Sequence, residues 1–351
     1  MKRIFISGMA PGNGGVPNFL EYLESNNFPL ITPNQSSNFF TKILNRLIFL
    51  MKIMMCPRDK TYVIIHHQTI PLLAILKLLL VNKLEYFAID NSYFCISSYN
   101  YNPKLNIENP CRNCLHKTQP DKSCIAFPSR RKKFIEIILL KLIRKYFSKS
   151  TSRIFTLSDS STNLVKKSLP SCGSVKTIGY STNDLIKLID EPKNNNLKKI
   201  NKTIVFHGHC IPGKGYDYLL KLAKDIKDFE FIFPTEGVDF ENVRYVQCTW
   251  DNGLKDLAEE ATYVAVPSLW DNTPEAASLK TMLMEIPLLF VPSEFSFENE
   301  NSSHFGIALT GNIKDDVHLI RKGIYKDNRS KSKDYCRKFL KESEQRLLNL
   351  K

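Results

Sequence analysis

Short, nearly continuous apolar runs alternate along the chain with stretches whose apolar residues recur at helical spacing. The runs are Lys2–Ser7, Tyr62–His67, Glu85–Asp90, Arg153–Ser158 and Ser174–Ile178, then Lys202–His207, Phe229–Phe233, Val243–Val246, Tyr263–Val266 and Leu288–Val291. Runs of this kind, without strict alternation of apolar and polar positions, predict strands buried on both faces, as in a parallel sheet. The intervening periodicity predicts helices over Asn18–Ser25, Phe39–Met55, Leu72–Leu84, Lys132–Phe147, Ser160–Leu169, Tyr216–Ile226, Asn252–Glu260, Ala276–Met284, Asp315–Gly323 and Ser330–Leu348. Strands alternating with helices imply an α/β architecture. The alternation stops across Tyr180–Asn201, a polar stretch carrying Asp190-Glu191-Pro192-Lys193-Asn194-Asn195-Asn196, and then restarts. A break of this composition marks a linker. The expectation is therefore an N-terminal domain over 1–180, a linker over 181–201, a C-terminal domain over 202–330 and a last helix over 331–351 that packs back on the first domain.

The length of 351 residues suits about two domains. A net charge of +14 points to an acidic partner: nucleic acid, an anionic membrane surface or a phosphorylated ligand. The basic stretches lack the aromatic interleaving of a nucleic-acid module, so nucleic acid is not expected. Trp250 and Trp270 read as packing residues rather than a nucleobase box. The start, Met1–Gly8, is one short apolar run ending in glycine and fits a first strand better than a secretory signal. The longest apolar run, Ile70–Val81, is interrupted by Lys77 and falls short of the roughly 20 residues of a membrane span. A cytoplasmic chain, soluble or peripheral on the inner face of the membrane, is expected. Two helices, Phe39–Met55 and Lys132–Phe147, carry lysines and arginines among large apolar residues and suit either an anionic membrane surface or the flank of a sheet.

Three loops carry candidate chemistry. After the first strand comes Gly12-Asn13-Gly14-Gly15, just ahead of a helix, where backbone N–H groups favour anions. After the first strand of the second half comes Gly208-His209-Cys210-Ile211-Pro212-Gly213-Lys214-Gly215, which sets a lysine between two glycines before a helix and can pair it with phosphate. The run Tyr263–Val266 ends in Pro267-Ser268-Leu269-Trp270-Asp271-Asn272-Thr273-Pro274-Glu275. In open α/β sheets, ligands bind outside the carboxyl ends of the strands, where this loop would lie. Two further strand ends carry His66-His67 and Asp90. Cys95, Cys111, Cys114 and Cys124 are spaced so that they could supply four thiolates to a structural Zn²⁺; buried free thiols or a redox pair fit equally. The odd total of nine cysteines argues for reduced thiols.

These loops together resemble the retaining GT-B glycosyltransferases of the bacterial surface-polysaccharide group (glycosyltransferase group 1, family 4-like). Members carry Gly-Arg-x4-Lys-Gly, then Pro-Ser-x-x-Glu-x7-Glu-Ala and Gly-x-Pro. Lys214 matches the lysine, Gly208 and Gly215 the flanking glycines, and Pro267, Ser268 and Asp271 the second motif as far as its first acidic position. Gly12, Gly14 and Gly15 match the acceptor-side loop, His66 or His67 the strand-end histidine, and Ser158 the usual strand-end serine. His209 replaces the arginine, Leu279 or Lys280 falls where the second glutamate belongs, and Glu285 replaces the glycine before proline. Histidine lacks the permanent bidentate clamp of arginine, and lysine cannot accept a ribose hydroxyl hydrogen bond.

The resemblance implies two Rossmann-like domains facing each other across a cleft. It implies metal-independent transfer of a sugar, with retention, from a nucleotide-sugar donor to a lipid-linked saccharide in O-antigen, capsule or lipopolysaccharide synthesis. Lys214 and Asp271, with His66 or His67, would serve catalysis. Gly208, His209, Gly215, Ser268, Asn272, Thr273 and Glu275 would hold the donor, while Gly12, Gly14, Gly15 and Asp90 would line the acceptor side. No cofactor is required, apart from the zinc that the cysteines could hold. The alternative is a catalytically silent relative that binds an acceptor or a partner enzyme.

Overall fold

The computed structural model describes residues 3–80, 83–102, 110–117, 133–148, 153–191, 202–271, 273–301, 306–323 and 329–351. The chain divides into two compact units. One comprises Met1–Asn100, Arg112–Asp184 and Leu340–Lys351; the other comprises Tyr101–Cys111 and Leu185–Phe339.

The first unit holds strands β1 (Arg3–Ile6), β2 (Leu30–Ile31), β3 (Thr61–Ile65), β4 (Leu84–Ala88), β5 (Arg153–Thr156) and β6 (Ser174–Thr177). They form a parallel sheet in the order β2-β1-β3-β4-β5-β6. Every residue of β3 and β4 is buried, which is why these segments read as continuous apolar runs. The exception in composition, Glu85 of β4, accepts from Arg3 Nε at 2.7 Å, so its buried charge is paired. Helices α1 (Gly15–Ser25), α2 (Phe39–Met54), α3 (Leu72–Leu79), α4 (Lys133–Phe147) and α5 (Asp159–Ser168) connect the strands. Helix α1 buries Phe19, Leu20, Tyr22 and Leu23, and the Phe19 ring packs on Phe87 of β4. Ser158 caps α5 by accepting from Ser161 N at 3.1 Å.

The last helix, Arg329–Leu348, ends in the first unit. Ser343 is buried there against Gly179, where an added Cβ would lie 1.9 Å from Ser343 Oγ. Arg3 reaches the Leu350 carbonyl at 3.3 Å.

The second unit holds β7 (Thr203–Phe206), β8 (Glu230–Phe233), β9 (Val243–Tyr245), β10 (Tyr263–Val266), β11 (Leu288–Phe290) and β12 (Gly306–Ala308). They too form a parallel sheet, ordered β12-β11-β10-β7-β8-β9. Helix α6 (Asn183–Ile189) begins at the boundary between the units, and α7 (Tyr216–Asp225), α8 (Leu254–Glu260), α9 (Ala276–Leu283) and Ile313–Lys322 follow. Phe206, Leu219, Leu222, Phe231, Phe233 and Leu289 sit in one core.

Two features differ from the sequence expectation. Helix α6 occupies part of the polar linker 181–201, because Leu185, Leu188 and Ile189 are spaced to bury one face, and Arg337 Nη2 holds the Ile189 carbonyl at 2.7 Å. Strands β2 and β12 are too short to give a periodic signal.

Strand order fixes where sites can form. In the first sheet the direction of winding reverses between β1 and β3; in the second it reverses between β7 and β10. In open α/β sheets, ligands bind at such a reversal, beside the loops that leave the two carboxyl ends. These loops are Ser7–Gly15 and His66–Thr69 in the first unit, and His207–Gly215 and Pro267–Glu275 in the second.

Candidate functional site

In the second unit the chain leaves β7 through His207, whose N–H bonds to the Ala265 carbonyl at 2.9 Å. It tightens into a 3₁₀ turn over Pro212–Lys214 and enters α7 through Gly215, which holds the left-handed conformation at φ 81°. A Cβ at Gly215 would lie 2.2 Å from the Pro267 carbonyl oxygen, and Leu269 N donates to Gly213 O at 3.0 Å. Glycine thus lets the β7 and β10 loops touch backbone to backbone.

The Lys214 side chain is carried to the β10 loop. Its Nζ lies 2.7 Å from Glu275 Oε1 and 5.0 Å from the centre of the Trp270 ring. Ser268 Oγ donates to the same Glu275 oxygen at 2.5 Å. The two charged side chains keep only 12% and 9% of their surface. Asp271 is buried and accepts from Ser293 Oγ at 3.0 Å. Thr273 is buried, and a Cβ at Gly208 would make only ordinary contact with the Phe206 ring at 3.6 Å. His209 is exposed, and Asn272 lies outside the described residues. A positive group, a carboxylate and a hydroxyl therefore meet at one strand end, with a buried acid on the same loop. A diphosphate bound there would compete with Glu275 for the lysine.

On α9, Leu279 is fully buried, and the Lys280 Nζ lies 4.2 Å over the Trp250 ring, which also stacks on His207 at 4.9 Å and 3°. Glu285 holds φ 57°, the conformation that suits glycine after a helix end.

In the first unit, Gly8 N donates to Thr69 Oγ1 at 3.1 Å, and Thr69 Oγ1 donates to the His66 carbonyl at 2.8 Å. The β1 and β3 loops are locked together, with His66 itself left-handed at φ 51°. His66 Nδ1 pairs with Asp90 Oδ2, and Asp90 also accepts from Ser92 N at 2.9 Å. Ser92 Oγ lies 2.8 Å from the Tyr86 hydroxyl, which lies 2.9 Å from His67 Nδ1. His67 is fully buried in this chain of hydrogen bonds, whereas the His66 side chain keeps 15% of its surface. Of the two adjacent histidines, His66 is the one with ring surface to offer a ligand. Gly12 and Gly14 have positive φ, Gly12 under the Gln35 side chain, while Gly15 opens onto free space at the start of α1.

Burial alone would raise the Asp90 pKa; the His66 charge and the hydrogen bonds from His66 and Ser92 outweigh it and hold the carboxyl below its usual range. A group depressed on folding adds stability above its unfolded pKa and loses it as pH falls through the folded value. Acidification below about pH 4 is therefore expected to destabilise the first unit. Asp90→Asn should remove that part of the acid dependence and cost about 2 kcal/mol at neutral pH. Thermal denaturation at acid and neutral pH checks both.

Among the described residues no three histidine, cysteine or acidic side chains converge as a metal-ligand set; Cys124, the fourth cysteine of the candidate zinc set, lies outside those residues. Burial pushes the Cys210 thiol up to about 12. Sequence reasoning missed Ser293 and Tyr86, which reach the sites from neighbouring strands, and Ser92 and Thr69, which lie two and three residues beyond Asp90 and His66 and bond to them within local turns.

No family model matches the chain. An uncharacterized glycosyltransferase of Haemophilus influenzae is 30% identical over 171 residues, 43% of this chain and 45% of that protein, so the match spans less than half of the relative. Among solved structures, HepE from Anabaena in complex with UDP superposes with a TM-score of 0.60 at 13% identity, covering 100% of this chain and 99% of that one. Trehalose-6-phosphate synthase OtsA gives 0.58 at 10% identity, covering 100% and 99%.

The fold is GT-B. TarM, with 0.55 at 14% identity over 88% of this chain and 58% of its own, is similar in the same way. In GT-B terms, Lys214 and its partners occupy the switch point of the second unit and the His66–Asp90 pair that of the first.

Proposed function

We propose that the chain is a metal-independent glycosyltransferase. It moves a sugar from a nucleotide-sugar donor to a lipid-linked saccharide of bacterial surface polysaccharide, working peripherally on the inner face of the cytoplasmic membrane. The observation that carries the reading is Lys214, held at the β7/β10 switch point against Glu275, Ser268 and the Trp270 face, with buried Asp271 alongside. The likeness to a curated glycosyltransferase and to a UDP complex of the same fold supports it.

The donor diphosphate displaces Glu275 from Lys214. As the bond from the anomeric carbon to the diphosphate oxygen breaks, the acceptor hydroxyl oxygen bonds to that carbon and its proton leaves with the diphosphate, while the lysine and the nearby N-terminus of α7 stabilise the growing negative charge. Asp271 accepts from donor-sugar hydroxyls. Through Nδ1, His66 is oriented by Asp90, and it serves the acceptor hydroxyl. Retention of configuration follows from the family resemblance.

A silent, acceptor- or partner-binding chain is the second reading. The Lys214–Glu275 pair and the presence of Leu279 or Lys280 where the ribose-binding carboxylate belongs favour it. A transfer assay with UDP-, GDP- and dTDP-sugars and a polyprenyl diphosphate-linked saccharide decides. One active donor class is expected, and Asp271→Asn should lower its turnover about 100-fold. Binding of acceptor with no transfer from any donor would establish the silent reading instead.

A further inference from the structure

Helix α2 is attached to the first unit by a narrow stripe. Asn45, Phe49 and Ile53, four residues apart, are its buried positions, and Asn45 Nδ2 donates to the Asn34 carbonyl at 3.2 Å. Around that stripe, large apolar side chains face outwards: Phe39 at 70% exposure, Phe40 at 79%, and Leu44, Leu47 and Met51 each at more than half. Helix α3 packs on α2 and adds exposed Leu73, with Leu80 just beyond its end. Monomeric surfaces rarely leave so much contiguous apolar area in water. Among the described residues no helix is long and apolar enough to cross a membrane.

Charge decides between occupants. Lys42, Arg46 and Lys52 are exposed on α2, and neither α2 nor α3 contains an acidic residue. A two-fold contact with a second copy would set these cations against themselves. An anionic bilayer satisfies both features, since the apolar side chains enter the acyl boundary while the cations meet the headgroups. Helix α4 exposes fewer large apolar side chains, Phe134, Ile138 and Leu142, and is anchored more fully. It buries Leu139, Leu140, Ile143 and Phe147, and Arg144 is spent inside the fold on the carbonyls of Cys114, Leu115 and Ser168.

We propose that the outward face of α2 and α3 inserts shallowly into an anionic lipid surface and is the docking surface of the chain, with α4 left out. The proposal rests on the peripheral-membrane part of the reading above but not on its chemistry. The test is flotation with vesicles of equal parts phosphatidylglycerol and phosphatidylcholine, against pure phosphatidylcholine. The wild type should float with the anionic vesicles. Phe40→Glu with Leu47→Glu should reduce the bound fraction at least ~10-fold, because each places a charge where burial is needed. Ile138→Glu on α4 should leave it unchanged. Phe40→Trp should gain emission that lipids brominated in the chains quench, which reports insertion even if the double variant misfolds.

Equal flotation with neutral vesicles would overturn the anionic assignment, and loss of binding in Ile138→Glu would overturn the exclusion of α4. Absence of vesicle binding, or a solution dimer that the double variant dissociates, would overturn the proposal. Donor binding measured on the same preparations stands apart from all of these outcomes.

Discussion

Lys214→Ala is expected to weaken donor binding by more than ~30-fold, the scale on which removing one partner of a desolvated, hydrogen-bonded charge contact acts. It should also destabilise the second unit, because Glu275 would be left as a nearly buried carboxylate with only Ser268 donating to it. Stranding one member of such a pair costs about 3 kcal/mol. The two effects separate in the double variant Lys214→Ala with Glu275→Ala. Removing both charges should restore most of the stability, while donor binding stays lost. Calorimetric titration and thermal denaturation of the two variants read each effect independently. If the double variant regained donor binding, Lys214 would not be the phosphate partner.

Gly215→Ala is expected to have the largest effect on stability of any single substitution near the site. A left-handed φ costs an alanine about 1–2 kcal/mol. The new Cβ would also meet the Pro267 carbonyl oxygen at 2.2 Å and the Pro267 ring at 2.8 Å. Neither is a flexible side-chain end, so the β7 and β10 loops must part, for a further 1–3 kcal/mol or about that. The transition of the second unit should fall by roughly 10 °C. Gly213→Ala, two residues earlier, is the control: its Cβ would meet only the Tyr101 side chain at 3.7 Å, an ordinary contact. A normal transition for Gly215→Ala would mean that the two loops are not in backbone contact, and the site would have to be redrawn.

The contrast between these two glycines shows what the sequence could and could not convey. Buried parallel strands such as Tyr263–Val266 are legible because burial on both faces leaves a run with no alternation. The motif positions Lys214, Gly215, Ser268 and Asp271 are legible because each is fixed by a local loop shape. Glu275 as the partner of Lys214 is not, since the pairing joins residues 61 apart through a sheet register. His66 and His67 are equivalent in the sequence; the left-handed backbone at His66 turns one ring toward Asp90 and leaves the other in the core. Helix α6 was hidden because its apolar triplet is shorter than the window in which a helical period can be recognised. The exposed face of α2 was legible as an amphipathic pattern, but only the structure tells which apolar residues it buries and that most remain outside.

The central claim is that the β7/β10 switch point binds a nucleoside diphosphate through Lys214. The most direct measurement is calorimetric titration of the wild type and Lys214→Ala with UDP, GDP and dTDP. One saturable site for one of the three is expected, absent in Lys214→Ala and unchanged in His66→Asn, which alters only the first unit. No binding of any of the three, or equal binding by Lys214→Ala, would contradict the claim.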